Sequence, residues 1–439
     1  MQSRSPSEAA AAASQHSASA AHREPGRRRA GGARPSLLAP LRNPLYRSLW
    51  IATVFSNYGV WIQMVAAAWL MTSIAPTPDF VAWVQAATAL PPLLFTVLGG
   101  VLADRHDHRL IFLIGQLAML LVALALSLFD GIGVMTPWLL LGLTFALDSG
   151  GALRSPAYQA TMVEILPREQ LPQAAVLGGI GWNLARATGP ALGGLIIALV
   201  GVPGAFAANA LCNLHIVLVL ARWRARVRNA KPKPTGSILV ELMSGVAHVR
   251  ATPAIGTAML CCFVFAGFAS ALWSLLALVA KRLEGGPSTY GLLLGALGVG
   301  ALAGGAAIGR LRPWLGLRGS CAAATLLVAA GTLAMATAPS VLLLLPALAL
   351  AGLGWMVALT IYGLVVQLAA SGPYQGRMAS VFYLALFGGM FVGSWAWGHV
   401  AAGPGIRTGL LIATGGLVAS LWLYRPRGIA SRLADLDQG

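Results

Sequence analysis

The chain has 439 residues, of which 57% are hydrophobic and only 10% are charged. A soluble domain carries about 25% charged residues, so this composition excludes a soluble protein and requires that most of the surface face lipid. The formal net charge of +17 could suggest a nucleic-acid partner, but the positive residues stand in short segments between apolar stretches, which excludes that partner class and indicates a membrane protein.

Twelve apolar stretches are long enough to cross a bilayer, which takes about 20 residues. They are separated by Pro, Gly or charged residues, which are typical boundaries. The sequence therefore predicts an all-α integral membrane protein with twelve transmembrane helices. The predicted spans are residues 49–72, 80–102, 110–129, 137–153, 174–200, 204–223, 255–280, 290–309, 320–336, 341–368, 381–402 and 406–424.

The basic residues are distributed unequally between the two faces of this topology. With alternating spans, 26 of the 30 Lys and Arg residues fall on one side, and Lys281, Arg282 and Arg407 fall on the other. Positive residues accumulate in cytoplasmic loops. The sequence therefore predicts a multi-pass protein of the inner or plasma membrane with both termini in the cytoplasm.

A basic segment after the sixth span, ARWRARVRNAKPKPTGS, divides the spans six and six. A long solvated connection between two sets of short turns predicts two pseudo-symmetric six-helix bundles that pack face to face. A weak repeat, GVLADR at residue 100 and GAAIGR at residue 305, supports the division. The predicted parts are a disordered cytoplasmic tail (1–42), an N-terminal bundle (43–223), a cytoplasmic linker (224–253), a C-terminal bundle (254–424) and a second cytoplasmic tail (425–439).

A charged turn, GVLADRHDHR, joins the second and third spans. Charged residues are costly within a bilayer, so the turn must lie at a water interface. Asp104 at a helix end can accept charge-assisted hydrogen bonds from Arg105, Arg109 or the amino terminus of a neighbouring helix. The alternative interpretation is a merely solvated turn.

Two ionisable residues stand inside spans. Asp148 in span four and Arg186 in span five each cost about 2.5 to 3.5 kcal/mol at a helix centre if unpaired. We therefore expect a buried ion pair between them, or a shared site for a proton and substrate, facing a central cavity; a purely structural pair is the alternative. Among the uncharged polar residues within spans, Asn183 and Gln63 are candidates for lining that cavity.

The fifth span also contains a glycine-rich segment, NLARATGPALGG. Its residues Gly189, Pro190, Gly193 and Gly194 allow close helix contact and a local bend. Small-residue packing without any directional meaning is the alternative interpretation of these four residues.

Several kinds of site are not predicted. The four cysteines lie within spans, where a free Cys acts as a small apolar residue, so the sequence indicates neither a disulfide nor a metal site. It contains no GxxxxGK[ST] or H-E-x-x-H motif and no soluble catalytic domain. We therefore expect no cofactor and no enzymatic activity, and any uphill transport must use an ion gradient.

The charged turn resembles the loop between the second and third helices of the major facilitator superfamily, whose pattern is G-x-L-A-D-R-x-G-R-R/K. The matching residues are Gly100, Leu102, Ala103, Asp104, Arg105 and Arg109, and the departures are Asp107 and His108. The resemblance implies that Gly100, Asp104, Arg105 and Arg109 form a gate that holds the cytoplasmic side shut in the outward-open state. It also implies alternating access by rocking of the two bundles, and a monomer.

The glycine-rich segment resembles the antiporter motif of facilitator-type exporters, although Ala185 stands where the family pattern has a further glycine. The stretch from Leu153 to Gly194 looks most like the enterobactin-exporter branch, the transmembrane secretion effectors, whose members export siderophores or drugs. The resemblance implies a proton-driven exporter of a small organic molecule. An uptake permease or facilitator of the same fold, and a transporter-like sensor without flux, remain alternatives; a membrane enzyme is a remote third.

Overall fold

The computed structural model describes residues 36–223, 253–369 and 375–424 of the chain. Within these ranges the regular structure is entirely helical. Most of the predicted tails and linker, at residues 1–35, 224–252 and 425–439, lies outside the described residues. The described part of the first tail includes a short 3₁₀ helix, Ala39–Arg42, and Asn43 then caps the first long helix through its side-chain oxygen.

Residues 36–223, the described part of the first half, form five continuous helices. They are α1 (Pro44–Ile74), α2 (Asp79–Arg105), α3 (His108–Gly131), α4 (Pro137–Ile165) and α5 (Leu171–Arg222). A 3₁₀ turn, Arg168–Gln170, precedes α5.

Seven helices are described in the second half, of which α7 and α8 are short continuations of α6 after breaks. They are α6 (Pro253–Ala269), α7 (Ala271–Ser274), α8 (Leu276–Arg282), α9 (Pro287–Thr337), α10 (Val341–Ala369), α11 (Gln375–Ala402) and α12 (Ile406–Ser420), which a 3₁₀ turn, Leu421–Tyr424, extends.

Two glycines divide the two longest helices. Gly201 in α5 has φ 78° and ψ 175°, and Gly316 in α9 has φ 63° and ψ 178°. Only glycine adopts such dihedral angles without strain, so each long helix reverses there into two legs. Counted in this way, with α6 to α8 as one broken leg, the described residues form twelve helical legs.

Eight helical stretches among the described residues are long and apolar enough to cross a membrane, and the two longest of these contain the reversals at Gly201 and Gly316. The helices Asp79–Arg105 and Pro137–Ile165 fall outside that set. The predicted all-α membrane fold is confirmed, whereas the number of bilayer crossings stays a prediction.

The helices pack as two groups. Helices α1 to α5 contact mainly one another, as do α6 to α12, and the two groups meet chiefly through α5 with α9 and through α2 with α11. We call the end where Pro44 begins α1 the tail side and the end where Ile74 ends it the far side. The four interface helices run between these two sides.

One predicted boundary is wrong. Span four was expected to end at residue 153, with Arg154 in the loop beyond it, but α4 continues to Ile165 through Pro156. Proline is tolerated inside membrane helices because neighbouring groups satisfy the freed carbonyl. Arg154 consequently lies within a helix, roughly 16 Å along its axis from the tail-side end.

Candidate functional site: a gap between the two halves

The two halves touch closely on the far side. Gly194 of α5 lies against the backbone of Pro287, and Gly291 of α9 lies against Pro190. A methyl group added at Gly298 would collide with the carbonyl oxygen of Arg186. Small residues therefore let the backbones of α5 and α9 approach each other, as they do in other membrane helix pairs.

Toward the tail side the same helices separate. Side-chain positions built at Gly178 and Gly179 of α5 and at Gly309 of α9 would meet no atom within 4 Å. The far half of α9 is mostly buried, whereas its residues 302–315 are mostly exposed. Helices α5 and α9 therefore diverge and leave between them a gap that is closed on the far side and open toward the tail side.

The glycine-rich segment of α5 packs on two neighbours at once. Gly189 lies against Trp61 and Gly193 against Ile62, both on α1, whereas Gly194 contacts α9. The carbonyl oxygen of Pro190 faces Gly291. The structure thus brings the four predicted motif residues together as the packing surface that holds α5 between α1 and α9.

Asp148 lies on a face of α4 that does not contact the flanking helices. Gly115 of α3 lies against Gly150, and Gly99 of α2 lies against Leu153. With 3.6 residues per turn, Asp148 falls on a third face, away from both contact rows. Its carboxylate is half-buried and has no hydrogen-bond or ion-pair partner among the described residues.

The predicted ion pair between Asp148 and Arg186 does not form in this conformation. Both residues lie within the described ranges, and no hydrogen bond or salt bridge joins them. The reason is the packing: α4 contacts mainly α2 and α3, whereas α5 contacts mainly α1 and α9. Although α4 and α5 are consecutive in sequence, they pack on different neighbours, and the two charges therefore lie apart.

Arg186 and Asn183 lie on α5 where the gap begins. Arg186 falls between the row that contacts α1 and the row that contacts α9, and it too has no polar partner among the described residues. Asn183 continues the α9-facing row toward the tail side, beyond the last close approach at Gly298. Its amide donates to the Gly179 carbonyl at 2.9 Å, so part of its hydrogen-bonding capacity is used within its own helix.

Gln63 lies in a buried amide cluster of the first half rather than on the gap. It is 4% exposed, and its oxygen accepts a hydrogen bond from Asn209 Nδ2 at 3.2 Å. Asn213 donates to Asn209, and Gln116 and Ser56 donate to Asn213. This cluster joins α1, α3 and the second leg of α5.

Arg154 is a candidate site residue that the sequence did not predict, because the predicted fourth span ends at residue 153 and leaves Arg154 in a loop. On α4 it is half-buried, and its Nε is buried without a hydrogen-bond partner among the described residues. An arginine at this depth in a membrane helix is costly and is usually functional. The local sequence favoured a loop, because Ser155 and Pro156, both common in turns, follow Arg154.

The charged turn is only partly described. Gly100 has open space beside its Cα, and the side chains of Asp104 and Arg105 lie outside the described residues. Arg109 donates through Nε to the Leu220 carbonyl at 3.0 Å and through Nη2 to the Ala221 carbonyl at 3.1 Å. Arg109 therefore caps the carboxyl end of α5, a contact within one half.

The neighbours of Arg109 complete this attachment. Asp107 caps α3 by accepting from the Arg109 backbone at 2.8 Å. His108 Nδ1 lies 2.7 Å from Glu164 Oε1 at the tail-side end of α4. The turn thus ties α3 to α4 and to α5 within the first half.

A family model described as transmembrane secretion effector matches residues 35–436 of the chain. The multidrug efflux pump Tap of Mycolicibacterium fortuitum is 24% identical over 384 residues, which cover 83% of this chain and 89% of Tap. The staphyloferrin A transporter of Staphylococcus aureus is 25% identical over 163 residues, covering 37% of this chain and 41% of that transporter. The chain spans about half the length of a further relative, the MFS-type transporter YfiS of Bacillus subtilis, at 54% of that protein and 50% of this chain, with 24% identity.

Solved transporter structures share the fold. A bacterial homologue of the human lysosomal transporter Spinster superposes with a TM-score of 0.69 at 16% identity, over 91% of this chain and 98% of that one. A bacterial homologue of the iron transporter ferroportin gives a TM-score of 0.68 at 16% identity, over 87% and 98%. These likenesses show a common architecture.

Proposed function

Because the chain belongs to the transmembrane secretion effector family of major facilitator transporters, we propose that it exports a small organic molecule, siderophore or drug-like, by proton antiport with alternating access. In this proposal the tail side faces the cytoplasm, as the placement of the basic residues requires. The protein lies in the cell membrane as a monomer with both termini inside.

The substrate class is drawn from two relatives. Tap is named a multidrug efflux pump and the staphyloferrin A transporter is named for a siderophore. Both names describe transport of small organic molecules. The packing of Gly189, Pro190 and Gly194 between α1 and α9 supports an export direction through its resemblance to the antiporter motif.

The observation that carries the proposal is an uncompensated charge, Arg186, where the gap between α5 and α9 begins, together with uncompensated Asp148 on α4. Asp148 and Arg186 have no polar partner among the described residues, and Arg154 Nε is buried without one. Ionisable groups within a membrane are retained chiefly where they bind ions, protons or substrate. A charged group of this kind at a gap open to the tail side suits the substrate-loading state of an exporter.

The charges have distinct roles in this mechanism. The Asp148 carboxylate accepts the proton that enters from the far side, and the proton leaves to the cytoplasm when substrate enters the gap. Arg186 offers a charged donor to acidic or carbonyl oxygens of the substrate, and Asn183 lines the gap beside it. Transport of substrate is coupled to transport of protons if the gap changes from one open side to the other only when either a proton or a substrate is bound.

Flux in proteoliposomes under an imposed pH gradient tests the proposal, with a panel of siderophores and lipophilic cations. The wild type should accumulate at least one compound against its concentration gradient, and Asp148→Asn should abolish accumulation while permitting downhill exchange. Asp130→Asn is the matched control, since Asp130 lies at the far-side end of α3. This control variant should behave as the wild type does.

Other outcomes would replace the proposal. Equilibration that ignores the gradient would make the protein a facilitator. Accumulation in the same direction as the protons would make it an uptake permease. Binding without flux for any compound would favour a sensor.

A further inference from the structure

A lysine bridges the two halves on the far side. Lys281 lies in the last turn of α8, in the second half of the chain. Its Nζ donates to the carbonyl oxygen of Thr72 at 2.6 Å, and Thr72 lies in the last turn of α1, in the first half. Both residues lie near the far-side ends of their helices, where the halves meet.

The sequence explains why this carbonyl is available. In an α-helix the Thr72 oxygen would accept from the backbone N–H of the residue four positions later, but that residue is Pro76, which has no N–H. The carbonyl at the end of α1 therefore lacks its helical partner. A cation at a helix carboxyl terminus is also favoured by the helix dipole.

The adjacent residue makes the same kind of bond within one half. Arg282 Nη2 donates to the Met335 carbonyl at 2.7 Å, near the end of α9. The residue four positions after Met335 is Pro339, so this oxygen has lost its helical partner for the same reason. Lys281 and Arg282 thus make the same kind of hydrogen bond to a carbonyl oxygen at a helix end. The Lys281 bond joins the two halves, whereas the Arg282 bond lies within the second half.

We propose that Lys281 is a latch that holds the far side closed by donating to the Thr72 carbonyl across the two halves. The inference rests on the proposed alternating access, in which the far side must open for release. Opening separates α1 from α8 and breaks this bond, whereas the Arg282 bond moves with its own half. Lys281 is a positioning residue: it sets the balance of conformations and does not touch substrate.

Other contacts at the same end separate together with the latch. The rings of Trp69 on α1 and Tyr290 on α9 stack with centroids 6.3 Å apart. Ser288 Oγ donates to the Gly194 carbonyl at 3.3 Å. Lys281 is exposed, so it can be replaced without disturbing the apolar part of this interface.

Distances between spin labels on the far side test the latch in the full-length protein in nanodiscs. One label replaces exposed Ile132, after α3, and the other replaces exposed Ser340, before α10. Each label is attached to a cysteine introduced at its position. Protein without these two introduced cysteines measures background labelling of the native cysteines. Lys281→Met should raise the long-distance, far-side-open fraction roughly threefold relative to the closed fraction, the size expected for a cation at a helix end.

Two matched variants decide the interpretation. Lys281→Arg keeps a cationic donor and should retain the wild-type distribution. Arg282→Met loses an equivalent bond within one half and should also leave the distribution unchanged. An unchanged distribution in Lys281→Met, an equal shift in Arg282→Met, or no difference between Lys281→Met and Lys281→Arg would each overturn the latch.

The distance measurement uses neither substrate nor a pH gradient. Its failure while gradient-driven flux persists would remove the latch and leave the export proposal standing. A confirmed latch without proton-coupled flux would instead contradict the proposed function alone.

Discussion

At the residue scale, the polar groups inside the described helices differ in whether they have hydrogen-bond partners. The amides of Asn209 and Asn213 bond to one another and to neighbours on α1 and α3. Asp148 and Arg186 have no such partners among the described residues. Because a buried polar group without a partner is costly, the first group stabilises one half, and the second group is available to ligands.

Arg109 provides a residue-scale prediction that separates a helix cap from a gate. Arg109→Met removes two bonds to the end of α5, which should destabilise that end by about 1 kcal/mol. Hydrogen exchange of peptides covering residues 215–222 should become faster. The far-side distance distribution should stay as in the wild type, because both partners lie in one half.

Arg109→Lys serves as the control for charge, and it should restore part of the protection. If Arg109→Met left hydrogen exchange unchanged but altered the balance between far-side-open and far-side-closed states, Arg109 would act as a gate residue.

At the element scale, the contact between α5 and α9 depends on the absence of side chains at a few positions. Gly298 is the described glycine of α9 nearest the tail side that makes this contact, against the backbone of Arg186 and Ala187. Toward the tail side from this point the two helices diverge. A glycine is required at this position because the backbone of α5 leaves no room for a side chain. Its own dihedral angles do not require glycine.

Replacement of Gly298 tests this account of the interface. Gly298→Ala places a methyl group against a backbone carbonyl, which should cost about 1–3 kcal/mol through overpacking. The thermal midpoint should fall, or the far-side-open fraction should rise. Gly309→Ala on the same helix meets open space and should be neutral or slightly stabilising, because Ala is the better helix former; equal behaviour of the two variants would contradict the account.

Apolarity and turn residues were sufficient to predict the helices, but not every boundary. The sequence predicts a loop for the polar end of α4, beyond Arg154, because hydropathy cannot distinguish a polar helix face from a polar loop. The sequence predicts Gln63 on a cavity because no hydrogen-bond partner is apparent near it in the sequence. Its partner, Asn209, lies 146 residues away. Contacts over such distances depend on how helices pack, which the local pattern does not contain.

The glycine-rich segment of α5 was predicted more fully. Its small residues indicated close helix contact, and Gly189, Gly193 and Gly194 do make such contacts. The sequence alone did not indicate that two different helices share them. The expected pairing of Asp148 with Arg186 failed for the related reason that adjacency in sequence does not require contact between α4 and α5.

At the scale of the whole molecule, two groups of helices meet on the far side and separate toward the tail side. Backbone contacts along α5 and α9, the Lys281 bond and the ring contact of Trp83 with His399 all lie in the far half of the interface. Two such groups can exchange open and closed ends by rocking about their contact surface. Proton antiport requires in addition that a substrate gradient can drive proton movement and that a proton gradient can drive substrate movement.

The most direct test of the proposed antiport measures protons moved by substrate alone. Proteoliposomes loaded with a transported compound and a trapped pH dye are diluted into substrate-free buffer of the same pH, with the membrane potential clamped. Substrate efflux should draw protons inward and acidify the lumen, and Asp148→Asn should abolish the pH change. Substrate efflux without a pH change, or with alkalinisation of the lumen, would contradict proton antiport.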